Sequence, residues 1–137
     1  MTNWINTQNP IKASKDIGVI QLAWLGDSVW ELHQRLRHIN MPAKSRDLHL
    51  SVVSEVQAIA QVESLKFIEP LLNDSEINLI RRARNKTKRC PKAIEPIIYA
   101  QSTGFETLIG WLFLHNPKRL SQLFEHLELK SHKITNS

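Results

Sequence analysis

Two acids stand alone in the most apolar parts of this 137-residue chain. Between Ile17 and Val29 the only charged residue is Asp27, and between Gly104 and Leu114 the only one is Glu106. A carboxylate inside an apolar segment carries a heavy desolvation cost unless it is paired, hydrogen-bonded or bound to a metal. Two such acids meeting across a helix–helix contact would offer oxygen ligands suited to Mg²⁺, which keeps several waters and needs few protein carboxylates beside phosphate oxygens. Beside a phosphate-binding surface, that pair would support metal-assisted phosphodiester hydrolysis. A structural role stays open next to this one. Ser28-x-x-Glu31 and Thr103-x-x-Glu106 both fit the capping box, in which a glutamate only satisfies a backbone amide at a helix start. Asp27 would then be a helix-entry residue before Ser28.

The charge distribution supplies the phosphate-binding surface. Seven of the 18 cations fall between Arg81 and Lys92 and none of the 13 acids does, so elsewhere 11 cations face 13 acids. A mildly acidic body thus carries one concentrated basic segment, the pattern of a nucleic-acid partner. If all seven cations met phosphates, log affinity would fall against log salt with a slope of about −6 at most. The plain alternative is a solvated helix end, where cations suit the C-terminal dipole. Aromatic residues are missing from the segment, which favours the phosphates of a duplex over single-strand stacking.

Other chemistries find less support. The six histidines form no H-E-x-x-H pair, and the lone cysteine, Cys90, rules out zinc-finger spacing and an internal disulfide. His33 and His49 read as surface or half-buried polar residues. The four glycines form neither GxGxxG nor a P-loop, and no GxSxG elbow surrounds Ser28. The four tryptophans read as core. The longest apolar run, Leu108 to Leu114, is far short of the ~20 residues of a membrane helix, and the N-terminus lacks a secretory pattern. A cytoplasmic protein with no membrane partner is expected.

The elements that must position the acids are helical. Apolar residues recur at helical spacing from Ile17 to Ile39, with an interruption expected at Gly26, and again as one helix from Ser45 to Lys66. An apolar piece follows over Phe67 to Leu72. Asp74 or Ser75 is expected to cap a helix entering the basic segment. Pro96 suits the first turn of a helix reaching Leu114, and Asn116-Pro117 a cap and first position of the last helix. No stretch alternates with period two. The expected fold is one all-α domain of six to seven helices, with an N-terminal extension over 1–16, a catalytic domain over 17–129 and a flexible tail over 130–137.

The segment Leu22 to Glu31, LAWLGDSVWE, resembles the signature segment of the ribonuclease III catalytic domain. Ser102 to Leu114, STGFETLIGWLFL, resembles that domain's second acidic motif. With the phrase RARNKTKRCPK at Arg82 to Lys92 and the short length, the chain is similar to the Mini-ribonuclease III branch of that family. The resemblance covers roughly Ile17 to Leu127. It implies an all-helical homodimer that cuts double-stranded RNA with one Mg²⁺-dependent site per subunit, Mn²⁺ being the substitute ion. It also implies the 23S ribosomal RNA precursor as substrate. Asp27 and Glu106 take the positions of the signature aspartate and second-motif glutamate, both catalytic and both at the metal. Where full-length ribonuclease III has two further carboxylates, this chain has Ala23 and Thr103. The length leaves no room for the separate RNA-binding domain of the longer enzymes. Gripping the RNA therefore falls to Arg81, Arg82, Arg84, Asn85, Lys86, Lys88, Arg89 and Lys92. Two readings compete with an active nuclease: an RNA-binding module of the same fold without the chemistry, and a helical protein-interaction domain.

Overall fold

The computed structural model describes residues 2–10, 16–40, 44–87 and 89–135. Among them all regular structure is helical, with α1 over Asn3–Asn6, α2 over Val19–His38, α3 over Ser45–Val56 and α4 over Ala58–Ile68. A 3-10 turn over Glu69–Leu71 leads to α5 over Asp74–Lys86, and α6 over Pro96–His115 and α7 over Pro117–Thr135 complete the bundle.

The helices that carry the two lone acids, α2 and α6, form the most extensive contact among the described residues. They cross at two glycines. A Cβ at Gly26 would lie 1.8 Å from the Glu106 carbonyl oxygen, and one at Gly110 would lie 2.0 Å from that of Leu22. Side chains are thus excluded where the two backbones touch. Gly26 does not interrupt α2, contrary to expectation: the helix is continuous, and the residue serves this close approach instead. Beyond the crossing, Trp30 packs edge-on to Phe105 and Phe124, with ring centres 5.1 and 5.3 Å away, joining α2, α6 and α7 in one core. Leu65, Ile68, Leu79, Ala83 and Leu120 are among the other residues of that core.

Several boundaries differ from the sequence reading for identifiable reasons. The helix expected over Ser45 to Lys66 is two helices, because Gln57 adopts an extended backbone (φ −63°, ψ 151°) that neither proline nor glycine announces. The cap of α5 is Asn73, one residue before the expected position. Its side chain accepts from the Glu76 amide at 2.9 Å, and Glu76 Oε1 accepts from the Asn73 amide at 3.0 Å. Asn116 caps α7 as expected, accepting from the Arg119 amide at 3.2 Å. The α7 backbone stays helical to Thr135, past the Lys130 boundary of the expected tail.

Arg119, near the start of α7, clamps α5. Its guanidinium donates to Glu76 Oε2 at 3.0 Å, to Glu76 Oε1 at 2.9 Å and to the Leu71 carbonyl at 2.7 Å. Burial alone would raise the Glu76 pKa, but the bonds from Arg119 and the Asn73 amide hold it below the ordinary value. The N-terminal segment is part of the packing as well. Ile5 is fully buried, and Thr2 donates to Glu125 at 2.7 Å.

Two side-chain expectations are corrected. His33 is 2% exposed, not a surface residue; it accepts from the Trp4 indole at 3.3 Å. Burial foremost, and then Arg37, lower its pKa to about 3, so it is a neutral core imidazole. Trp24 is not core: 78% of it is exposed. His49 is exposed, as expected.

Candidate active site

Because α2 and α6 touch backbone to backbone, side chains flanking the glycines are brought face to face. Asp27 follows Gly26, and Glu106 lies one turn before Gly110. The two carboxyls meet, with neutral Glu106 donating a hydrogen bond to Asp27. Burial first, then the negative charge of Asp27 and this bond, push the Glu106 pKa up to about 8. Glu106 therefore keeps its proton at neutral pH.

The capping alternative fails on position. Asp27, Ser28 and Glu31 lie in the interior of α2, and Thr103 and Glu106 in that of α6. Thr103 instead donates to the Tyr99 carbonyl at 2.9 Å, and Glu31 pairs with Arg35 at 3.0 Å away from the cleft.

Asp27 and Glu106 line a cleft of about 690 Å³. Ile20, Ala23 and Trp24 of α2 and Ala58 and Gln61 of α4 share its walls with Tyr99, Ser102 and Thr103 of α6. Its remaining side is the end of the basic segment, with Lys86, Thr87, Arg89 and Ile94. Arg81, Arg82, Arg84 and Asn85 are exposed on the last turns of α5, outside the cleft lining, and Lys92 is exposed in the following loop. Lys88 lies outside the described residues.

Two carboxylates make a particular kind of metal site. Among the described residues no group of three or more His, Cys, Asp or Glu gathers, so the acids these residues bring to the cleft are this pair. That set fits a hard cation retaining most of its water, such as Mg²⁺, whose charge would relieve the repulsion between the two ionised carboxylates.

Comparison with known proteins gives the family. The Ribonuclease III domain family matches residues 20–117, which includes both acids and the basic segment. Curated relatives named Mini-ribonuclease 3 cover most of the chain. The one from Synechococcus sp. is 41% identical, over 84% of this chain and 83% of its own. The one from Synechocystis sp. is 34% identical, over 92% and 90%. The chain belongs to the Mini-ribonuclease 3 family. A solved structure from Fusobacterium nucleatum shares the fold of this Mini-ribonuclease 3 family member, with a TM-score of 0.77 at 25% identity. The match covers 87% of this chain and 95% of that one.

By family, then, the protein is an endoribonuclease of the ribonuclease III type. Among its described residues no helix is long and apolar enough to cross a membrane. The sequence reading passed over Gln61, Ser102 and Tyr99 of this Mini-ribonuclease 3 cleft. Ser102 was findable as the residue one turn before Glu106; nothing in the sequence singles out Gln61.

Proposed function

We propose that the protein is a Mg²⁺-dependent endoribonuclease that cuts double-stranded RNA, with Mn²⁺ as a substitute ion, and that it acts on the 23S ribosomal RNA precursor as a cytoplasmic homodimer. The observation that carries this reading is the hydrogen-bonded Asp27–Glu106 pair, set in a cleft that Lys86 and Arg89 also line. Asp27 and Glu106 would hold the cation. When bound, it supplies Lewis acidity at the phosphate and activates a water. The chain does the rest. To serve as a ligand, Glu106 would have to release its proton to solvent, which a cation beside it would favour. Lys86 and Arg89, on the rim of the cleft, would attract the backbone phosphates of the RNA. Recognition is by backbone and shape, because the deep major groove of duplex RNA hides its base edges. Exposed Ile20 and Trp24, one turn apart on α2, support a second copy packing beside the cleft.

The test is cleavage of end-labelled duplex RNA. Asp27→Asn and Glu106→Gln are expected to bind RNA within about threefold of wild type and to lose cleavage by ~100-fold or more. Either variant cleaving at the wild-type rate removes that residue from the site. The competing RNA-binding module draws on Ala23 and on Thr103, whose hydroxyl is turned to the Tyr99 carbonyl. Duplex RNA left intact by saturating wild-type protein in Mg²⁺ would favour it.

A further inference from the structure

Ser102 stands four residues before Glu106, one helical turn away on the same face of α6. It is buried, and its hydroxyl donates to Oε1 of Gln61 on α4. Gln61 is 2% exposed, yet it lines the cleft with Asp27 and Glu106. Neighbouring hydroxyls of α6 behave differently. Thr103 bonds to its own helix, and Thr107 bonds to the Thr103 carbonyl at 2.8 Å and the Val19 carbonyl at 3.1 Å. The Ser102 hydroxyl instead crosses to a side chain of another wall.

That crossing matters because of what lies one turn further on. Two carboxylates held together repel once ionised, and the turn carrying Glu106 must resist being pushed aside. On the α2 side the Glu106 carbonyl already rests against Gly26. The Ser102–Gln61 bond restrains the same stretch of α6 from the α4 side, so the turn is held between two elements.

We propose that Gln61 is a positioning residue for the cleavage reaction. By holding Ser102 it fixes the turn of α6 that presents Glu106 to Asp27, and so sets divalent-ion affinity and turnover. This rests on the carboxylate–cation reading above.

Three variants test it: Ser102→Ala, Ser102→Thr and Gln61→Leu. In Ser102→Ala, kcat falls about tenfold and half-saturating Mg²⁺, read from the shift in melting temperature of the RNA-free protein, rises by about as much. KM for a fixed duplex stays within about twofold. Ser102→Thr keeps the hydroxyl and restores both values. The double variant Ser102→Ala/Gln61→Leu loses no more than the worse single one. Wild-type turnover and Mg²⁺ saturation in Ser102→Ala overturn the proposal, as does a lowered melting temperature with both unchanged. If Gln61→Leu does not fold, the two Ser102 variants decide. Asp27→Asn is run beside them. Wild-type cleavage by that variant means the metal reading has failed; its inactivity alongside an unimpaired Ser102→Ala means the role of Gln61 has failed.

Discussion

Glu106 keeps a proton that an exposed glutamate has lost well below neutrality, and this makes the stability of the metal-free protein depend on pH in a defined direction. Its pKa is about 8 in the folded state against an ordinary glutamate value of 4.5. The folded chain therefore binds more protons than the unfolded one between those values, and the stability contribution present below pH 4.5 is lost as pH rises to about 8. Glu106→Gln removes that loss. In metal-free buffer its melting temperature should exceed that of wild type by an amount that grows from pH 4.5 to 8, reaching on the order of 10 °C. A gap that does not vary with pH would contradict the raised pKa of Glu106. His33 acts with the opposite sign. Its pKa is lowered from 6.5 to about 3, so stability is full above pH 6.5 and is lost as acid is added. At this scale the sequence was partly legible. Asp27 and Glu106 stood out because no other charge shares their windows. Gln61 did not, since an uncharged amide in an amphipathic helix looks like any other polar residue. His33 misled for a related reason: a histidine carries no sign of whether a neighbouring indole will bury and bond it.

Helix pairs, and not single helices, set the separation of the acids. Gly26 and Gly110 each replace a side chain with the backbone of the opposing helix. Alanine in mid-helix would ordinarily gain about 1 kcal/mol over glycine. Here the added methyl would meet a carbonyl oxygen at 1.8 or 2.0 Å, and a helix backbone cannot swing away as a side-chain tip does. The clash should win. Gly26→Ala and Gly110→Ala are each expected to destabilise by about 3 kcal/mol, measured by urea unfolding, and to depress cleavage below the melting temperature. Unchanged stability would mean the helices are further apart than described. The periodicity of apolar residues located α2, α6 and α7, since their apolar positions repeat at three and four residues. It could not separate α3 from α4, because the break at Gln57 preserves the apolar pattern on both sides. Nor could it reveal the purpose of the glycines, which depends on a partner helix far away in the chain.

Across the whole molecule, the charge asymmetry read from composition has a spatial counterpart. Lys86 and Arg89 stand at the cleft, and exposed Arg81, Arg82 and Arg84 extend the basic surface along α5. Neutralising Arg82, Arg84 and Lys88 together should weaken duplex RNA binding and flatten the plot of log affinity against log salt by about two to three units, leaving the circular dichroism unchanged. An unaltered slope would route the RNA elsewhere. The clamp at the other end of the same helix has a mechanical consequence. α5 contains 13 residues and is about 20 Å long, with Arg119 gripping its beginning and Lys86 forming its tip. Leu79, Ile80 and Ala83 pack its middle into the core, and the Arg119 guanidinium fixes its first turn. A tilt of only about 5° about that first turn would carry the tip almost 2 Å, a displacement of the size that misaligns reacting groups. Changes around Leu71 and Glu76, remote from any phosphate, therefore have the leverage to detune the enzyme.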